Sequence, residues 1–469
     1  MVAVTGKSKD RGKMAYPLPN GVVYSQREGF CPFSVPPLER YAPILGEDKV
    51  ERLLRAAEKL KGLKLLEINA TAQGGGVAEM LFSLLPMLNG LGIPAEWKVI
   101  NGNEAFFECT KGLHNILQGS DDPFTSEMEQ TYCCNLDECA GSNIINDPDV
   151  VNIHDPQPLG LASHLKKNRE TWLWRCHIDI EDSPMQKNPA LWDFMTRWVA
   201  HYDAAVFSAA HYIVSRWPLP KFIIPPSIDP LSEKNRELRP EEINQVLGKY
   251  EIDPRIPIIA QVGRFDPWKG IDRTIQTFRK VRQEIKCQLI IAGGKASDDP
   301  EGSRILEEIL ETTKKDEDIH VLNLSLEDRL ENWREVNALQ RAADVIMQPS
   351  TKEGFGLVIT EALWKGKPLI GSSVGAIPLQ LRDGDTGYYY ESPAKTAKRV
   401  LHWLKHPEEA RTTGEGGREY VRQHFLLPDR LADYLMTIDM AMNTIKTRQI
   451  PKDCIISFHP WFKMSRRGR

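Results

Sequence analysis

Residues 256–281 read IPIIAQVGRFDPWKGIDRTIQTFRKV. The run IPIIAQVG is short, apolar and β-branched, which fits a strand buried on both faces of a parallel sheet. Pro267 and Gly270 then keep RFDPWKG out of regular helix, and an amphipathic stretch follows as the crossover. The same unit recurs along the chain. CQLIIAGG, IHVLNLS, ADVIMQPS and KPLIGSSVG follow it, while LKLLEINA (63–70), AEWKVI (95–100), VVNIHDP (150–156) and TWLWRCHIDI (171–180) precede it. Strands alternating with helical stretches predict an α/β fold with two doubly wound, parallel-sheet, Rossmann-like domains facing a central cleft. Between about 222 and 242, FIIPPSIDPLSEKNRELRPEE interrupts the pattern with four prolines and a charge run, and marks the linker. The expected boundaries are a loosely ordered extension over 1–35, an acceptor-side domain over 36–230, a second ligand-binding domain over 231–440, and a tail over 441–469 with a helix crossing back. Val77, Leu81, Leu84 and Leu88 keep a 3.6 period in one helix, which Pro86 is expected to bend.

At 469 residues the chain is long enough for two or three domains, and 41% hydrophobic with 26% charged residues is the composition of a globular protein. Lys and Arg number 60 against 64 Asp and Glu, so no overall field draws it to nucleic acid or anionic lipid. Any anionic ligand has to be held by local cations. No apolar run suits a membrane span or a secretory leader, which predicts a cytoplasmic protein without membrane partners. The eight cysteines, at 31, 109, 133, 134, 139, 176, 287 and 454, are sparse enough to read as reduced thiols. Cys133, Cys134 and Cys139 cluster without a completing ligand set, so no metal is expected.

Three segments carry chemistry. After the first strand, Gly74, Gly75 and Gly76 open a helix whose free amides suit phosphate or a crowded sugar; a plain tight turn has the same look. Arg264 and Lys269 project from one loop, a fork and a point charge that match a diphosphate, although as isolated residues they would be ordinary solvated charges. Glu353, Gly354, Phe355 and Gly356 precede a helix starting at Leu357. Glu361 lies two turns on, where its carboxylate suits a ribose diol, while Glu353 and the amides over 354–357 suit hexose hydroxyls. In the first half, His154, Asp155 and Gln157 follow the strand VVNI. Arg175, His177 and Asp179 alternate with apolar neighbours, as on one face of a strand, and would line up donors and acceptors for a sugar; a satisfied turn and a half-exposed strand edge remain the plainer readings.

In this order and spacing, Arg264, Lys269, EGFG and Glu361 resemble the donor half of retaining nucleotide-sugar glycosyltransferases of the GT-B fold, family 4. INATAQGGGVAEML (68–81), FFECTKGLHNILQG (106–119), HDPQP, WRCHIDI and PPSIDPLSEKN (225–235) extend the resemblance to the trehalose glycosyltransferring synthases, from about residue 40 to 440. The resemblance implies transfer of glucose from a nucleoside diphosphate glucose, such as UDP-glucose or ADP-glucose, to free glucose, making trehalose reversibly. It assigns Arg264 and Lys269 to the diphosphate, with Gly75 and Gly76 beside it. Glu353 and His154 go to the transferred sugar, Glu361 to the ribose, and Asp155, Gln157, Arg175, His177 and Asp179 to the acceptor. It implies no tightly bound cofactor, with Mg²⁺ as a stimulant, and is compatible with a homodimer. The leaving group is a stable anion, so cations aimed at its charge replace the acid carboxyl of a glycosidase. Two alternatives stay open: a retaining trehalose phosphorylase, and a non-catalytic nucleotide-sugar sensor. A nicotinamide-dependent dehydrogenase is disfavoured because the glycine run lacks the required interruptions.

Overall fold

The computed structural model describes residues 22–25, 34–72, 75–141, 147–167, 169–180, 188–294, 300–445 and 450–459. Two sheets organise them. The first contains β1 (Val22–Tyr24), β2 (Leu65–Asn69), β3 (Ala95–Val99), β4 (Val150–His154), β5 (Thr171–Cys176), β6 (Ala204–Phe207), β7 (Lys221–Ile223) and β14 (Ile455–Ile456). Its order is β1-β3-β2-β4-β5-β6-β7-β14, parallel throughout except that β1 runs antiparallel to β3. The second contains β8 (Ile258–Val262), β9 (Gln288–Gly293), β10 (Ile319–Asn323), β11 (Val345–Gln348), β12 (Leu369–Gly371) and β13 (Tyr388–Tyr389), all parallel, in the order β10-β9-β8-β11-β12-β13. Strand order reverses at β8 and β11, where a doubly wound sheet opens a crevice at its carboxyl ends. The loops carrying Lys269 and Glu353 leave these two strands.

The strand interiors are buried at nearly every position, as the continuous apolar runs require. Trp97, Trp172, Trp174 and Trp217 are fully buried, so the tryptophans with the largest apolar area serve packing. The helix Gly75–Gly90 continues through Pro86 to its end. Pro86 has no N–H to give the carbonyl four residues upstream, so the helix gives up that one bond and carries on to Gly90. Cys139 Sγ donates to the Asn101 carbonyl at 3.0 Å, and burial raises the Cys133 and Cys139 thiols, which is the behaviour of packing thiols. Cys31 lies outside the described residues.

Two expectations need correction. Within 1–35, Val22–Tyr24 forms an edge strand whose residues are all buried, because Val23 and Tyr24 pack into the main core. Among its described residues, the 441–469 tail contributes one helical turn, Ala441–Ile445, and the short edge strand β14 beside β7. The helix that returns is Leu427–Met440, which packs on Glu47–Glu58 of the first half. Its Asp429 bonds Arg52 at 2.9 Å, Lys49 at 3.1 Å and Arg430 at 2.7 Å. Asp433 pairs with Arg52, with Arg430 at 2.9 Å and with His459 at 3.2 Å.

Asp433 is 1% exposed, and removing one member of a buried charge cluster leaves its partners uncompensated. Asp433→Ala is therefore expected to lower unfolding stability by about 3 kcal/mol in urea titrations.

Candidate active site

Beyond β8, Asp266 caps the turn Pro267–Lys269 by accepting from the Trp268 amide at 2.8 Å. Gly270 follows with φ +62°, and a Cβ there would stand 2.2 Å from the Pro349 carbonyl oxygen at the end of β11. Only glycine lets the two loops approach this closely. The closeness brings Lys269 Nζ to 2.7 Å from Glu353 Oε2, with Ser350 Oγ donating to the same oxygen at 3.3 Å. Both partners of the pair are nearly buried, at 14% and 10% side-chain exposure. Arg264 stands apart, half-exposed and 3.5 Å from Asp266. Its charge reaches His114, on the helix Glu104–Leu117 of the first half; burial first and Arg264 second hold that imidazole down at about 4.

The EGFG loop is fixed from both sides of the cleft. A Cβ on Gly354 would lie 3.1 Å from the carbonyl oxygen of His177, and Tyr212 O–H donates to the Gly354 carbonyl at 2.5 Å. Gly356 has φ +81° and caps the helix Leu357–Trp364, while Gln380 donates to the Phe355 carbonyl. The Phe355 ring is buried, 5.8 Å from Phe425, so its side chain anchors the loop and only its backbone is available to a ligand. Gly76 comes against Leu357 across the cleft, whereas Gly75, with φ +78°, has open space over its α-carbon. Gly74 lies outside the described residues.

Glu361 is buried at 2% exposure. Its Oε1 pairs with Lys234 Nζ at 3.0 Å, and the same ammonium reaches Glu79 Oε2 at 2.7 Å. Burial pushes the Glu361 carboxyl up against the pull of Lys234, and the two carboxylates hold Lys234 protonated despite its own burial. Glu361 Oε2 has no hydrogen-bond partner among the described residues and borders a cavity also lined by Ser227, Asp229, Ser232 and Trp333. A buried acceptor without a donor is costly and calls for one.

On the first sheet the structure corrects two assignments. His154, the last residue of β4, is 0% exposed; its Nδ1 meets His177 Nε2 at 2.9 Å and its Nε2 meets Glu67 Oε2 at 2.7 Å. It faces the protein interior, and His177 is the histidine beside the EGFG loop. Arg175, His177 and Asp179 do not share one strand face, because β5 ends at Cys176. Arg175 is buried with its guanidinium 5.6 Å from the Tyr434 ring centroid, while His177 and Asp179 lie in the loop beyond. Asp155 has φ +63°, and its Oδ1 accepts from the His177 amide at 2.7 Å, which orients that loop. Asp179 accepts from Gln118 Nε2, one helical turn beyond His114. Gln157 Oε1 is buried with no partner among the described residues.

Glu67, Lys234, Glu79, Tyr212, His114, Gln118 and Tyr434 were not singled out from the sequence. Glu67 did carry a signal: a lone carboxylate inside the apolar strand LKLLEINA.

The family model described as trehalose synthase, N-terminal domain, matches residues 67–214, and that for glycosyl transferases group 1 matches residues 243–420. A trehalose synthase of Pyrococcus horikoshii is 44% identical over 401 residues, covering 85% of this chain and 95% of the relative. A trehalose phosphorylase of Pleurotus pulmonarius is more distant, 30% identical over 75% of this chain and 53% of its own length. A UDP-forming trehalose-phosphate synthase structure from Burkholderia xenovorans superposes with TM-score 0.64 at 14% identity, covering 82% of this chain and 99% of its own, and so shares the fold.

Burial pushes the Asp155 carboxyl up to about 6, against the opposing pull of the His177 amide. Stability from a carboxyl raised in this way is present below its unfolded value near ~4 and is lost as pH rises through ~6. Asp155→Asn keeps an acceptor for the amide and removes the buried charge. It is expected to stabilise the protein by about 1 to 3 kcal/mol at pH 7.5 and by nothing measurable at pH 4, in paired urea titrations.

Proposed function

Since the chain belongs to the trehalose synthase family and is a GT-B glycosyltransferase, we propose that it transfers glucose from a nucleoside diphosphate glucose to free glucose, with retention, forming trehalose. The observation that carries this reading is the Lys269–Glu353 pair at the reversal point of the second sheet, opposite His177. Lys269 has three donors, so it can keep Glu353 and still meet a β-phosphate oxygen. Arg264, half-exposed at the cleft, has the reach to close on the same diphosphate from the other side. The pair of cations carries the donor's charge, with Mg²⁺ at most a stimulant.

In this reading the transferred glucose lies between the Glu353 carboxylate, the amides from Gly354 to Leu357, and His177. The ribose diol supplies the donor that Glu361 Oε2 lacks. The acceptor glucose lies on the first-domain side, toward Asp179, Gln118 and Gln157. As the bond from the anomeric carbon to the β-phosphate oxygen breaks, Arg264 and Lys269 neutralise the charge that develops there. The acceptor hydroxyl oxygen bonds to the same face of that carbon, and its proton passes to the departing phosphate oxygen.

The likeness to a trehalose phosphorylase, more distant than that to the trehalose synthases, makes phosphorolysis the second reading. NMR of the anomeric protons separates the readings. Glucose mixed with each nucleotide-glucose is expected to give α,α-trehalose, whereas trehalose plus inorganic phosphate yielding glucose 1-phosphate would overturn the proposal. Arg264→Ala and Lys269→Ala are each expected to reduce kcat by ~10² to 10³, the usual cost of one preorganised electrostatic donor. Undiminished turnover in either variant contradicts the roles given to these cations.

A further inference from the structure

His177 stands at the outer end of a chain of hydrogen bonds that runs into fully buried interior. Its Nε2 lies 2.9 Å from His154 Nδ1, the two rings stack at 12° with centroids 5.2 Å apart, and His154 Nε2 lies 2.7 Å from Glu67 Oε2. Glu67 also accepts from Asn152 Nδ2 at 2.7 Å and from Tyr434 O–H at 2.8 Å. Glu67 and His154 are both 0% exposed. A carboxylate in the middle of a parallel strand is tolerated only when its oxygens are satisfied. Three donors do so here, and the Arg175 guanidinium, beside Tyr434, supplies opposite charge nearby.

The chain has a direction. The Asn152 amide nitrogen can only donate and a carboxylate oxygen only accept, so His154 Nε2 carries the proton directed at Glu67 Oε2, with Asn152 Nδ2 also 3.3 Å from that nitrogen. With its proton on Nε2, His154 offers the lone pair of Nδ1, and the single proton of the 2.9 Å contact then lies on His177 Nε2. Burial foremost, then the Arg175 charge, holds the His177 imidazole well below its ordinary value, so that ring is neutral. Its remaining nitrogen, Nδ1, is thereby unprotonated, and no side chain among the described residues bonds to it.

We propose that Glu67 and His154 are positioning residues that fix the tautomer and orientation of His177, so that Nδ1 is offered to a sugar hydroxyl as an acceptor. This deepens the reading above, which places His177 beside the transferred glucose. Neither residue touches substrate; both act through the imidazole, as an orienting carboxylate does for a histidine elsewhere. Tyr434 extends the chain to the returning helix Leu427–Met440, so the seating of that helix also bears on the tautomer.

His154→Phe preserves a stacking ring and removes both nitrogens, whereas His154→Asn returns an amide oxygen near the position of Nδ1. With nucleotide-glucose and glucose, the Phe variant is expected to lose ~10- to 100-fold in kcat with little change in KM, and the Asn variant to recover most of it. In protein labelled with ¹⁵N-histidine, His177 is identified by the signals lost in His177→Gln. Its wild-type Nδ1 is expected to resonate as unprotonated and Nε2 as protonated, with the tautomers mixed in the Phe variant. A protonated Nδ1 in the wild type overturns the proposal, and so does a folded Phe variant with unchanged kcat. Equal losses in both variants with an unchanged His177 tautomer assign the residues to packing and overturn it likewise. The NMR measurement needs no turnover, so an inactive wild type sinks the transfer reading while the tautomer pattern still decides this one.

Discussion

The contact between the Lys269 ammonium and the Glu353 carboxylate ties together the loops that leave β8 and β11. The site at the reversal of strand order depends on it. At 2.7 Å, and with both side chains largely withdrawn from water, the pair is strong enough to hold two glycine-rich loops in register. Each charge offsets the desolvation of the other, so both side chains stay withdrawn from water at the crevice. Glycine makes the geometry possible: Gly270 brings the first loop under the Pro349 carbonyl, and Gly354 lets the second loop lie against His177 of the other half. A methyl group on Gly270 would collide with the Pro349 carbonyl, and one on Gly354 would stand tight against the His177 carbonyl.

A second ion-pair arrangement does comparable work at Glu361. Lys234 belongs to the segment between the two sheets and reaches Glu79 in the first half and Glu361 in the second. One ammonium thus joins both halves at the floor of the cleft. Because it occupies only one oxygen of Glu361, the other stays available to a hydroxyl pair. The linker read from its prolines and charges is therefore also a structural strut, held by the groups that would meet the ligand.

The two parallel sheets were legible because buried parallel strands have to be written as unbroken apolar runs, and these runs match the observed strands closely. The edge strands β1 and β14 were not, since three- and two-residue strands carry too little pattern to stand out from loops. In the donor half, glycine and proline at fixed offsets marked both loops, but the pairing of Lys269 with Glu353 was not read from the sequence, because it joins positions 84 residues apart. In the acceptor half, the placement of His154 and Arg175 departs from the reading, since both are buried. Alternation along WRCHIDI presumes a strand that in fact stops at Cys176, and the exposure of a histidine at a strand end depends on which neighbour covers it. Here the cover is His177 and the buried partner is Glu67, 87 residues away in sequence, a pairing that no local pattern encodes.

The central claim is that the second domain's cations hold a pyrophosphate beside the EGFG loop. A crystal structure with an unreactive nucleoside diphosphate glucose analogue tests it most directly. The account predicts Lys269 Nζ and the Arg264 guanidinium within about 3 Å of β-phosphate oxygens, the usual range of charge-assisted bonds, with the hexose against Glu353. A diphosphate bound elsewhere, with Arg264 and Lys269 turned to bulk solvent, would contradict it.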